Sequence, residues 1–152
     1  MSYMIYECYN LSSVDLSGLN TSSLRSLDSM MRYCSGLTFV NVSGWDVSHV
    51  TSMFGMFQQC TALSSLDLSD WNIVSTTNMN YMFGACPNLV TIYVGDGWNV
   101  NSVTTGGYIF DGCTSLVGGS GTSYAGTHRD KTYARVDNPP DEPGYLTYKS
   151  GQ

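Results

Sequence analysis

Met53-Phe54-Gly55-Met56-Phe57-Gln58-Gln59-Cys60-Thr61-Ala62-Leu63-Ser64-Ser65-Leu66-Asp67-Leu68-Ser69-Asp70-Trp71 is the stretch that decides the architecture. Its first half is apolar at Met53, Met56, Phe57, Cys60 and Leu63, a spacing of 0, 3, 4, 7 and 10 that predicts one face of a helix. Ser48 and Thr51 stand ahead of it as candidate caps. From Leu63 to Ser69 the pattern changes to strict alternation, which predicts a short half-buried strand. A turn at Asp70 to Asn72, with Trp71 directed inward, then leads to the next helical piece.

The same unit recurs along most of the chain. Cys8, Cys34, Cys60, Cys86 and Cys113 are separated by 26, 26, 26 and 27 residues. Leu11, Leu37, Leu63, Leu89 and Leu116 follow each Cys by three. Met4, Met30, Met56 and Met82 precede it by four, with Ile109 in the last unit. Leu19, Trp45, Trp71 and Trp98 close the units. A fixed period in this range is the mark of a solenoid. One helical piece and one strand cannot bury their apolar sides alone, so the units must stack. The expected fold is an α/β repeat solenoid: a continuous parallel sheet with helical segments behind it, over residues 1–117, in about four and a half repeats.

At Gly118-Gly119-Ser120-Gly121 the strand positions are lost and the repeat stops. Residues 118–152 are expected to form a C-terminal β cap. Thr132 to Val136 and Gly144 to Tyr148 read as two strands joined by a Pro-rich turn at Asn138 to Gly144. Met1 already occupies the column of Leu27, Met53 and Met79, so the chain is expected to start inside a repeat, without an N-terminal cap. That open end makes self-association through residues 1–17 an expectation.

Composition narrows the function. Only 12% of residues are charged, about half the usual share, and 21 Ser and 14 Thr carry the polarity instead. The net charge of −6 resides in residues 1–117, because the tail holds four bases and four acids. Phosphate affinity needs clustered Lys and Arg, so no nucleic-acid partner is expected. No apolar run is long enough for a membrane span, and no basic segment followed by an apolar stretch marks a signal peptide.

Candidate chemistry is sparse, and neither a catalytic residue nor a cofactor is expected. Five Cys, an odd number without a Cys-x-x-Cys pair, read as a column of buried free thiols rather than disulfides or a metal site. His128 near Asp130 offers two parts of a hydrolase triad, but no Gly-x-Ser-x-Gly elbow accompanies them. Asp15 and Asp67 share a strand position two units apart, which reads more simply as solubility than as a glycosidase pair. The acidic stretch Asp137 to Glu142 lacks the pattern of a calcium loop. The Asn-x-Ser triplets at Asn10, Asn20 and Asn41 are expected by chance at this composition.

With Leu66 and Leu68 inward, the outward rows are Ser13, Phe39, Ser65 and Thr91, then Asp15, Asn41, Asp67 and Tyr93, then Ser17, Ser43, Ser69 and Gly95. Phe39 and Tyr93 are its only large groups. A flat, hydroxyl-rich face with a few aromatic anchors suits a protein or glycan ligand.

Trp45 to Met53 and Met56 to Ser69 resemble the BspA-like leucine-rich-repeat surface proteins, a family that includes repeats first grouped as a mycoplasma domain of unknown function. The resemblance covers residues 1 to about 117, and Tyr133 to Thr147 is similar to the family's usual ending. It implies a leucine-rich-repeat-like fold, an extracellular or cell-surface location, and non-enzymatic adhesion to a protein or glycan on another cell or host.

Overall fold

The computed structural model of the chain describes residues 2–138 and 140–150. Met1 of the repeat register and Pro139 of the expected tail turn lie outside the described residues. Successive 26-residue units stack in parallel register, and their inward columns merge into one core. Met30, Met56 and Met82, Phe57, Phe83 and Phe110, and Cys34, Cys60, Cys86 and Cys113 are fully buried. Rings of one column stack between units: Phe57 on Phe83 at 6.0 Å, Phe83 on Phe110 at 5.8 Å and Trp45 on Trp71 at 6.1 Å. Each buried Cys donates its S–H to a carbonyl of the preceding unit, as Cys60 does to Met31 at 3.1 Å and Cys86 to Phe57 at 3.1 Å. A small apolar side chain with a weak donor satisfies both demands of that position.

The α/β expectation is wrong. Among the described residues there is no α-helix, and the one helical piece is a single 3-10 turn at Lys131–Tyr133. Where a helix was predicted, the chain runs through consecutive tight turns. The N–H groups of Met56, Gln58 and Cys60 donate to Met53, Gly55 and Phe57, each three residues back. The intervening N–H groups of Met53, Gly55, Phe57 and Gln59 donate instead to Asn78, Asn80, Met82 and Gly84 of the next unit, at 2.8–3.0 Å. An α-helix would keep all of these bonds within its own segment. Left-handed residues break it at two recurring positions: Tyr3, Ser29, Gly55 and Tyr81, then Glu7, Tyr33, Gln59, Ala85 and Gly112. Apolar spacing of three and four fits either solution, so periodicity cannot separate them. Bonding between units settles the matter in favour of turns.

The strands are short: β1 is Ser13–Asp15, β2 is Phe39–Asn41, β3 is Ser65–Leu68, β4 is Thr91–Val94 and β5 is Leu146–Tyr148. They form two parallel sheets, β1-β2 and β3-β4-β5, not one continuous sheet. The tail also departs from expectation. Thr132 to Val136 is not a strand; Asp130 caps the 3-10 turn by accepting from the N–H and hydroxyl of Thr132. Of the second expected strand, β5 pairs in parallel with β4, Leu146 opposite Ile92. It thus takes the place vacated by the fifth unit at Gly118. Tyr145 closes the Phe column edge-on against Phe110 at 5.3 Å.

Candidate functional site

The outward residues gather on the strand face, in two groups set by the two sheets. Ser13 lies opposite Phe39 and Asp15 opposite Asn41 on the first sheet. Ser65 lies opposite Thr91 and Asp67 opposite Tyr93 on the second. Phe39 is 57% exposed, the largest bare side chain on this face. Tyr93 and Thr91 are half-buried, so the expectation of Tyr93 as a freely exposed anchor needs correction. The Lys149 ammonium stands 5.6 Å over the Tyr93 ring and forms an ion pair with Asp67.

Three of the candidate residues also build local turns. Asp15 accepts the N–H and hydroxyl of Ser17 at 3.0 and 2.7 Å, and Asp67 accepts those of Ser69 at 3.0 and 2.7 Å. These bonds hold the Asp15 carboxyl below its ordinary range. Burial works to raise the Asp67 carboxyl, but Lys149 and Ser69 outweigh it and the net direction is down. The hydrogen bond and charge of Asp67 raise the Lys149 ammonium in turn. Among the described residues, the side-chain oxygen of Asn41 accepts the N–H of Ser43, at 3.1 Å, and not its hydroxyl. The Asn-x-Ser triplets at Asn20 and Asn41 are therefore turn-forming elements, in which a side-chain oxygen takes the place of a backbone acceptor.

Between the two sheets the strand face opens. Units two and three stay joined on the turn side, where Leu27, Ser29, Met31 and Tyr33 donate to Ser52, Phe54, Met56 and Gln58. On the strand side β2 and β3 do not pair. The Asn41 carbonyl faces β1, where it accepts the Leu16 N–H at 2.9 Å. By strand alternation, Val40 and Val42 turn their backbone groups toward β3. Trp71 Nε1 reaches the Val42 carbonyl at 3.4 Å, against 2.8 Å for Trp45 to Leu16 one unit earlier. The result is a cleft of about 250 Å³ walled by Phe39, Val42 and Trp71, with Asn41, Asp67 and Lys149 at its polar margin. Sequence reasoning missed both the cleft and Lys149. Neither has a local signal, because Lys149 meets Asp67 across 82 residues.

Residues 1–121 match the family described as Mycoplasma protein of unknown function, DUF285. The chain belongs to that family. No curated protein matches it, and no solved structure does. The DUF285 match takes in four of the five strands, and with them every candidate residue of the strand face; Lys149 lies beyond it. A shallower hollow of about 520 Å³ lies at the seam between the last DUF285 unit and the tail. There Trp98 donates to the Ala134 carbonyl at 3.0 Å and Arg135 donates to Pro143 at 3.1 Å. His128 stacks on Tyr133 at 4.5 Å, while the Asp130 carboxylate is engaged by Thr132. Among the described residues no helix of this DUF285 chain is long and apolar enough to cross a membrane.

Proposed function

We propose that the protein is a non-enzymatic binding module whose strand face docks a protein or glycan on another cell or host. The stack of units is read as a short BspA-like, leucine-rich-repeat-type solenoid working at the cell surface or outside it. The observation that carries this reading is Phe39. It is a large apolar side chain, 57% exposed, on a face otherwise furnished with hydroxyls, amides and carboxylates. Affinity at such faces concentrates in a few aromatic anchors, while the polar surround supplies complementarity. Ser65 and Asp67 beside it, with Thr91 and Tyr93 on the next strand, extend the face. The test is binding of the purified chain to arrays of immobilised extracellular-matrix proteins and oligosaccharides, with and without the double substitution Phe39→Ser and Tyr93→Ser. Loss of binding at an unchanged melting temperature supports the reading. Unchanged binding by the double variant places the site elsewhere.

A second reading, assembly through the first unit, is favoured by Tyr3, Met4 and Tyr9, which are 60%, 44% and 55% exposed. The bonding direction limits its geometry. Tyr3, Ile5 and Glu7 donate to Asp28, Met30 and Arg32, so each unit gives N–H groups to the following one. By the repeat register, the turns of the first unit then present the carbonyls of Ser2, Met4 and Tyr6 outward. Two first units face to face would oppose acceptor to acceptor along these turns. Association there requires a partner that offers N–H donors, and light scattering over a dilution series tests it.

A further inference from the structure

The break between β2 and β3 differs from the other unit junctions in the chemistry it leaves free. At Asp15 and Asp67 the carboxylate holds both the N–H and the hydroxyl of the following Ser. At Asn41 only the Ser43 N–H is held, so among the described residues the Ser43 hydroxyl has no side-chain partner. Asp70, exposed on the opposite wall, likewise makes no side-chain hydrogen bond or ion pair among the described residues. Phe39 forms the apolar wall, and the Lys149–Asp67 pair borders the cleft. Nothing comparable exists at β1/β2 or β3/β4, where the strands are paired and the backbone groups are occupied.

The volume restricts the occupant. About 250 Å³ lies below the roughly 300–1,000 Å³ of pockets that enclose drug-sized ligands. The surroundings call for a compact group with one apolar face and hydroxyls around its edge. Its hydroxyls need partners when they leave water, and Asn41, Ser43 and Asp70 provide both donors and acceptors. A pyranose ring has this distribution, with C–H bonds on its faces and O–H bonds at its rim. A purely apolar side chain would strand the polar margin. An extended strand does not fit either, since paired strands need about 4.8 Å on each side.

We propose that the β2/β3 cleft is a subsite for one sugar residue of a glycan, packed on Phe39 and hydrogen-bonded to Asn41, Ser43 and Asp70. The Lys149–Asp67 pair positions the far wall, so the C-terminal segment takes part in the site. The inference rests on the strand face being the binding surface, and it narrows that surface to one junction and one ligand class.

The full chain is tested on an array of immobilised oligosaccharides, followed by competition with the methyl glycoside of the terminal sugar on any bound spot. Matrix proteins stripped of glycans are run in parallel. Binding that the methyl glycoside displaces is expected. It should weaken about tenfold or more in Phe39→Ala and in Asp70→Asn, a loss of ~1.4 kcal/mol or more. Val74→Ala and Val90→Ala, at exposed residues that do not line the cleft, should stay within about twofold of the parent. Thermal melts of all four variants confirm folding. Glycan binding that survives both cleft substitutions overturns the subsite. Binding confined to glycan-free proteins, and lost in the Phe39→Ser and Tyr93→Ser double variant, overturns the sugar while sustaining the face. Absence of binding to either class overturns both.

Discussion

The carboxylate of Asp137 accepts the backbone N–H of Thr122 at 3.0 Å and its hydroxyl at 2.5 Å. It also accepts the N–H of Ser120 at 2.9 Å and of Gly144 at 3.2 Å. Only 5% of Asp137 is exposed. A single buried side chain therefore ties the loop that ends the repeats to the segment that leads into β5. The fit is close: a Cβ on Gly118 would stand 2.2 Å from the Gly144 carbonyl oxygen and 2.5 Å from Asp137 Oδ2. Burial by itself would raise the Asp137 carboxyl, and the four donated hydrogen bonds reverse that direction.

Asp137→Ala is expected to destabilise the chain by about 3 kcal/mol, since it orphans several buried donors at once. Urea melts measure the loss. Because the folded carboxyl lies below its unfolded value near ~3.9, its contribution is fully present above that pH. It disappears as the pH falls through the lower folded value. Asp137→Asn should therefore flatten the acid limb of the stability profile, and an unchanged limb would remove Asp137 as its source.

Thiol labelling should divide the cysteines. Cys8 is half-buried, whereas Cys34, Cys60, Cys86 and Cys113 are buried and free. Cys8, in the first unit, thus departs from the buried column that the sequence predicts. Burial pushes the Cys86 thiol up to about 12 and also raises Cys34, Cys60 and Cys113. One thiol should react quickly in the folded protein and four only on unfolding. Rapid reaction of all five would refute the buried column.

Trp71→Ala should destabilise by roughly 3–5 kcal/mol, as large core truncations do. Trp71 is 1% exposed and stacks on Trp45. A loss below about 1 kcal/mol in a thermal or urea melt would mean that the column is not close-packed.

The two recurring left-handed positions give substitutions of opposite sign. Ala85 sits at φ 54° and Gly55 at φ 58°. Ala85→Gly relieves about 1–2 kcal/mol of left-handed strain and gives back about 0.5–1 in unfolded-chain entropy, a net gain of roughly 0.5–1 kcal/mol. Gly55→Ala imposes the strain of about 1–2 kcal/mol, and its new Cβ would meet Gln58 Oε1 at 3.1 Å. Equal stabilities for the two variants would show that the turns are not built as described.

The 26-residue period, the identity of the buried columns and the alternating strand positions were all legible in the sequence. Each depends on residues near one another in the chain or on plain recurrence, and burial imposes its pattern locally. Met56, Phe57, Cys60 and Leu63 had to point inward whatever backbone carried them. The backbone itself was not legible, because turns and a helix both place apolar groups three and four residues apart. What chose between them was the pairing of Met53 with Asn78 and Phe57 with Met82, bonds formed only when units stack. The open β2/β3 junction, the Asp137 clasp and the meeting of Lys149 with Asp67 belong to the same class. They join residues up to 82 positions apart, and hydrogen bonds at such separations leave no periodic trace. The tertiary structure alone decided them, since partners that distant are selected by the packing of the whole stack.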